Sequence, residues 1–211
     1  MAETAPKCMR AGAAGNDGGD ELSALPDDVI LRIMSFMNAR QALRTCVVSS
    51  RWRNLWSALP RINAEFFEFD TDTEGMETVA EDDEVAFKRF VNRLLELRDP
   101  AALMEQFWLR YPSSDDYNLQ VDSAEANRWI SHAIEKKARS VELVAMMLPL
   151  EVDNAVFTSR YLRTLGFCNV FLVHGFFKQL ETRCPALEDL YLGDWLITDD
   201  EISFQKLKYN E

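Results

Sequence analysis

Catalysis or metal binding in this chain would have to be built from His132 and His174, the four cysteines and one crowded run of carboxylates. His132 falls in a helical pattern and His174 precedes Gly175; neither has a nucleophile or ligand set at a working spacing. Both read as structural or surface residues. Cys8, Cys46, Cys168 and Cys184 make no Cys-x-x-Cys pair and no disulfide framework, as expected of a chain in a reducing compartment, cytoplasm or nucleus. From Asp70 to Glu84 there are eight carboxylates and no basic residue. Asp70, Asp72, Glu74, Gly75 and Glu81 approximate the spacing of a calcium loop. The surroundings do not fit one: Glu77 stands where such a loop wants an apolar residue, and Ile62 to Phe69 reads as a strand where a helix should lead in. A solvated acidic loop is the better reading. The glycines between Gly12 and Gly19 follow no strand, so they make no phosphate loop. No catalytic site, metal or cofactor is expected.

With chemistry disfavoured, composition and patterning point to binding. The 211 residues, 47% hydrophobic, suffice for one core and a small module, and no apolar run approaches a membrane span. The net charge of −12 is uneven. Asp20 to Pro60 holds five basic and four acidic residues, whereas Arg61 to Glu211 holds sixteen basic against twenty-nine acidic. So acidic a body lacks the Lys and Arg clusters that phosphate backbones require, and neither a nucleic-acid nor a membrane partner is expected.

Three short helices are expected near the N-terminus. Pro26 suits a first helical turn, and Asp27 and Asp28 favour the positive end of its dipole. Val29, Ile33, Phe36 and Met37 share one face of that helix, with Ile30 and Met34 on the next, so one neighbour cannot cover it. Asn38 with Gln41 opens a second helix carrying Ala42, Leu43, Cys46 and Val47. Ser49 or Ser50 caps a third, in which Trp52, Leu55 and Trp56 share a face. Helices this short and apolar need another surface over them.

Beyond residue 60 the pattern mixes strands and helices. A helix from Val85 carries Phe87, Phe90, Val91, Leu94 and Leu95 and stops at Asp99-Pro100; a short apolar stretch, Met104-x-x-Phe107-x-Leu109, follows. Ser123 is expected to cap a helix bearing Trp129, Ile130, Ala133 and Ile134. One spacing then returns as Ala138-x-x-Val141-x-Leu143, Leu162-x-x-Leu165-x-Phe167, Leu187-x-x-Leu190-x-Leu192 and, weakly, Phe204-x-x-Leu207-x-Tyr209, with starts 24, 25 and 17 residues apart. That is the repeat range of leucine-rich solenoids. A helical Phe176/Phe177/Leu180 segment lies between two of the copies.

Several of these motifs resemble a known family. Leu25-Pro26, the Ile33/Phe36 spacing, Val47-Val48-Ser49 and Arg51-Trp52-Arg53 before Leu55-Trp56 resemble an F-box, with Met34 and Met37 in place of the usual leucines. Cys184-Pro185-Ala186-Leu187-Glu188-Asp189-Leu190-Tyr191-Leu192 resembles the repeat unit of plant F-box proteins with leucine-rich repeats, in which the Cys ends the helical side. The resemblance implies an α+β chain with a disordered leader over 1–19 and a three-helix F-box over 20–60. A first strand and acidic loop over 61–84 and an irregular α/β leucine-rich-repeat solenoid over 85–211, incomplete at its C-terminus, complete it. A chain ending in mid-repeat at Glu211 is expected to be a truncated or alternative product.

The family further implies a non-catalytic subunit of a Skp–cullin–F-box ubiquitin ligase. Its F-box would bind a Skp-family adaptor and, through it, cullin, while the repeats hold a target protein. Leu25, Pro26, Val29, Ile30, Ile33, Phe36, Leu43, Val47, Trp52, Leu55 and Trp56 are expected to contact or support the adaptor surface, with Trp52 and Trp56 as anchors. The rival expectation is a non-degradative interaction protein that occupies the adaptor without delivering a substrate.

Overall fold

The computed structural model describes residues 25–47, 52–69, 81–111, 119–146, 148–193 and 196–197. The leader, Cys8, the Gly12–Gly19 stretch, Ser49 and Ser50, residues 70–80 of the acidic run and the Phe204 copy of the repeat lie outside the described residues.

Local signals build the N-terminal module as expected. Helix α1 (Asp27–Met34) starts after Pro26 with Asp27 and Asp28 in its first turn. Helix α2 (Ala39–Thr45) is capped by Asn38, whose Oδ1 accepts from the Gln41 N–H at 3.0 Å. The third element is a 3-10 helix, Trp52–Ala58, in place of an α-helix.

Eight described strands, all paired in parallel, form two sheets. The larger contains β1 (Arg61–Glu65), β2 (Gln106–Tyr111), β3 (Ser140–Ala145), β5 (Thr164–Cys168) and β7 (Asp189–Gly193), side by side in chain order. A smaller one, β4 (Leu150–Val152), β6 (Val170–Leu172) and β8 (Leu196–Ile197), runs beside it. Helices α3 (Glu81–Glu96), α4 (Leu119–Glu135) and α5 (Phe176–Arg183) fill the connections. The register puts Ile62, Phe107, Val141, Leu165 and Leu190 in one row and Ala64, Leu109, Leu143, Phe167 and Leu192 in the next. Repetition extends to the backbone: Pro60, Glu105, Arg139 and Arg163 carbonyls each accept two N–H groups from the following segment. The apolar spacing therefore gains one new copy, Leu59-x-x-Ile62-x-Ala64, and the stretch Met104-x-x-Phe107-x-Leu109 noted above joins the same series. All six of these side chains are buried.

Aromatic packing holds the helices on the inner face. Phe87 of α3 meets Phe66, Phe69, Tyr111 and Trp129 edge-on, and Phe176 of α5 meets Phe157, Phe167 and Phe177 in the same way. A buried polar cluster sits here: Lys88 pairs with Glu84 and, at 2.6 Å, with Asp122 Oδ1, which also accepts from the Tyr111 hydroxyl at 2.9 Å. Trp129 Nε1 donates to Asn92 Oδ1 at 2.7 Å.

Four expectations are corrected. The strand expected over Ile62–Phe69 ends at Glu65 and becomes a 3-10 turn, Phe66–Glu68, because Phe66 and Phe69 both turn in against Phe87. The acidic loop does not extend to Glu84: residues 81 to 84 open α3, where carboxylates suit the dipole and Glu84 pairs with Lys88 one turn on. The first strand is no separate segment, because β1 is the edge of the main sheet. Ser123 lies within α4 rather than at its cap, and its Oγ accepts the Glu151 N–H at 3.0 Å, tying the helix to β4.

Candidate docking surfaces

Helix α1 is apolar on two faces, and the fold covers one. Ile30 and Met34 are buried with Ala42, Cys46, Trp52 and Leu59 in a small core of the module's own. On the other side Val29, Ile33 and Phe36 are exposed, Phe36 at 73%, and Val47 at the end of α2 is exposed at 84%. Pro26 is exposed and Leu25 half-buried at the same end of α1. Large apolar groups clustered on a surface mark an interaction site more often than chance.

The sequence-expected adaptor residues thus divide. Pro26, Val29, Ile33, Phe36 and Val47 stand at the surface; Ile30 and Trp52 are interior, and Leu43, Leu55 and Trp56 are half-buried. The two tryptophans expected as anchors sit differently: Trp52 is buried and Trp56 half-buried. Trp52 fills the module's core, and Trp56 packs between that core and the larger one.

Trp56 is one of several ties between module and sheet. Leu43 and Ala39 of α2 pack on the larger core. Arg40 donates to the Glu68 carbonyl with its guanidinium 4.2 Å from the Phe69 ring centre. Asp99 N–H donates to the Ser57 carbonyl at 3.0 Å. Arg98, buried, donates from Nη1 to the Leu59 carbonyl at 2.7 Å and from Nη2 to the Leu103 carbonyl at 3.3 Å. Burial pushes its guanidinium down to about 10, against the opposing pull of Asp99, so Arg98 stays charged at neutral pH. The last residue of the module's core is also the first of the apolar repeat: Leu59 belongs to both.

A second surface is the outer face of the main sheet. Residues between the buried rows point outward, and the central outward row reads Asn63, Trp108, Glu142, Gly166 and Tyr191 across the five strands. The next reads Glu65, Arg110, Val144, Cys168 and Gly193. Two hollows share Glu142 as a wall. One, about 270 Å³, lies toward Asn63, Trp108 and Phe36; the other, about 250 Å³, lies over Val144, Gly166, Cys168 and Tyr191. Sequence reasoning did not assign Asn63, Trp108, Glu142, Gly166 or Tyr191. The signal was present, because each of these five occupies the place between the second and third apolar residue of one repeat copy.

The groups that could carry chemistry are disposed otherwise. Burial raises the Cys46 and Cys184 thiols above their ordinary value, which disfavours the nucleophilic thiolate. Burial first and Lys136 second hold His132 below its usual pKa, so it is neutral at pH 7, and its buried Nε2 has no partner among the described residues. No cluster of metal-ligating side chains occurs among the described residues, and no described helix is long and apolar enough to cross a membrane.

The profile of the F-box domain matches residues 22–63, the span of α1, α2, the 3-10 helix and the start of β1. An F-box protein of Arabidopsis thaliana is 32% identical over 214 residues, covering 84% of this chain and 45% of the relative. F-box/LRR-repeat protein 13 of the same plant is 25% identical over 218 residues, covering 90% and 44%. A further Arabidopsis F-box/LRR-repeat protein is 28% identical over 212 residues, covering 87% and 61%. The chain spans about half the length of these curated relatives. Its N-terminal module is an F-box, and the chain belongs to the plant F-box and F-box/LRR-repeat family.

Proposed function

We propose that the chain is the receptor subunit of a Skp–cullin–F-box ubiquitin ligase, docking a Skp-family adaptor on the exposed face of α1 and holding a target on its sheet. The carrying observation is that Val29, Ile33 and Phe36 remain uncovered although the opposite face of the same helix is fully packed. Val47 at the end of α2 is likewise exposed, and Ile30 and Trp52 lie in the module's core behind α1. The repeated rows of β1, β2, β3, β5 and β7 support reading the body as a leucine-rich-repeat solenoid with its outward row as the target surface. Catalysis in such a subunit is positional: it raises the local concentration of the target beside transfer machinery supplied by other subunits. The cytosol or nucleus is the compartment this role requires, and buried unpaired Cys46 and Cys184 suit it.

Co-expression of the full chain with a Skp-family adaptor tests this, beside an Ile33→Ala/Phe36→Ala variant checked by circular dichroism. Both side chains are exposed, so the variant should melt like the wild type yet lose about tenfold or more of its affinity for the adaptor. Equal binding by the two forms, or none by the folded wild type, would remove the α1 face from the proposal.

A further inference from the structure

We infer that the outer sheet face holds an arginine of an extended partner segment, with Glu142 as the guanidinium acceptor. This rests on the target-holding reading of the sheet and names the chemistry it selects.

Charge provides the first argument. Five described charged residues point outward from the five main strands: Arg61, Glu65, Arg110, Glu142 and Asp189. Both cations are already engaged, Arg61 with Glu105 at 3.7 Å and Arg110 with Glu65 at 3.4 Å. Glu142 and Asp189 have no cationic partner among the described residues, and the polar contact Glu142 makes is with the Ser140 hydroxyl at 3.2 Å. The face therefore presents two uncompensated carboxylates, both on the side away from Arg61.

Shape provides the second. A Cβ placed on Gly166 would come within 2.9 Å of Glu142 Cγ, so the glutamate side chain lies across the glycine instead of standing upright on its own strand. A side chain at 166 would block that position. Gly166 and Gly193 lower the floor between Glu142 and Tyr191, leaving the 250 Å³ hollow over Val144 and Cys168. An arginine fits these features together. Its stem can lie along the apolar floor, its fork can meet a carboxylate with two parallel bonds, and its plane can stack on the half-exposed Tyr191 ring. Lysine offers a point charge without the fork or the plane, so arginine is the preferred side chain. On the far side of Glu142, Trp108 and the buried Asn63 Oδ1, which has no partner among the described residues, line the second hollow. A segment laid across the strands would continue there toward the F-box.

The test uses the full chain and fluorescein-labelled Ala-Val-Arg-Val-Ala, with citrulline and lysine versions, read by fluorescence anisotropy. Citrulline keeps the shape of arginine without its charge. The arginine peptide should bind about tenfold more tightly than the citrulline peptide and measurably more tightly than the lysine one. Glu142→Gln and Gly166→Ala should each abolish that preference. Glu96→Gln, which removes one charge from the exposed outer side of α3, should leave it intact. Equal binding of arginine and citrulline, no binding by the folded chain, or equal weakening by Glu96→Gln would overturn the inference; the last outcome would mean attraction to the acidic body at large. Adaptor co-purification separates this result from the wider reading. Glu142→Gln should retain the adaptor, and Ile33→Ala, whose side chain lines neither hollow, should retain the peptide.

Discussion

The F-box and the sheet body solve the same burial problem by opposite means. The F-box gathers six described residues into its own core and leaves Val29, Ile33, Phe36 and Val47 to solvent. The body buries a contiguous set running from Ile62 through Trp129 to Leu190, and its outward rows are a mixture of polar, small and aromatic residues. A module too small to be satisfied by its own packing keeps apolar surface for a partner, whereas a body with a continuous core can spend its outer face on selective polar contacts. Under the proposed function, affinity and selectivity would fall to different parts of one chain.

Substitutions can break or sharpen this contrast. The largest effect is expected from Trp129→Ala, which empties the centre of the body's aromatic cluster and leaves Asn92 Oδ1 with Arg128 as its donor; a loss of about 3–5 kcal/mol should show in denaturant melts. A loss below 1 kcal/mol would mean that the body is not one continuous core. Next comes Arg98→Ala at the junction, which leaves the Leu59 and Leu103 carbonyls without their charged donor and should cost about 2–3 kcal/mol. If Arg98 joins the regions, calorimetry should resolve two transitions where the wild type has one. A single, merely lowered transition would show that packing by Trp56 and α2 suffices. The smallest is Asn38→Ala, expected to cost about 1 kcal/mol through loss of the α2 cap. Its signature is regional: amide exchange should quicken in α1 and α2 and stay unchanged in β3 and β5.

Features written in short-range patterns were legible from the chain. The Pro26 start, the Asn38 cap and the two-faced α1 each depend on neighbours within a few residues, as does the apolar spacing of β3, β5 and β7. What escaped depends on tertiary partners. Glu81 to Glu84 are as acidic as a loop, yet they open a helix whose Lys88 is shared with Asp122 of α4. Ser123 has the type of a cap, but its hydrogen bond goes to Glu151, far along the chain. The copy at Leu59 was passed over, and the stretch at Met104 was seen without being joined to the series, since α3 with 16 residues and α4 with 17 stretch the interval between strands. On the candidate surface, apolar type identified the α1 residues but could not sort exposed from interior; Trp52 and Phe36 look alike in sequence and differ by burial.

Because Leu59 completes the F-box core and also starts the first strand unit, the two parts share a common origin of measurement. Each further strand of the main sheet advances about 4.8 Å across the face. Choosing which strand carries a contact residue thus sets how far a bound partner sits from the F-box. Glu142, on the third strand of the ladder, lies about 10 Å from β1 by that count. On the proposed reading the chain is a ruler whose zero is α1, and moving a binding residue from one strand to the next would change reach without changing chemistry.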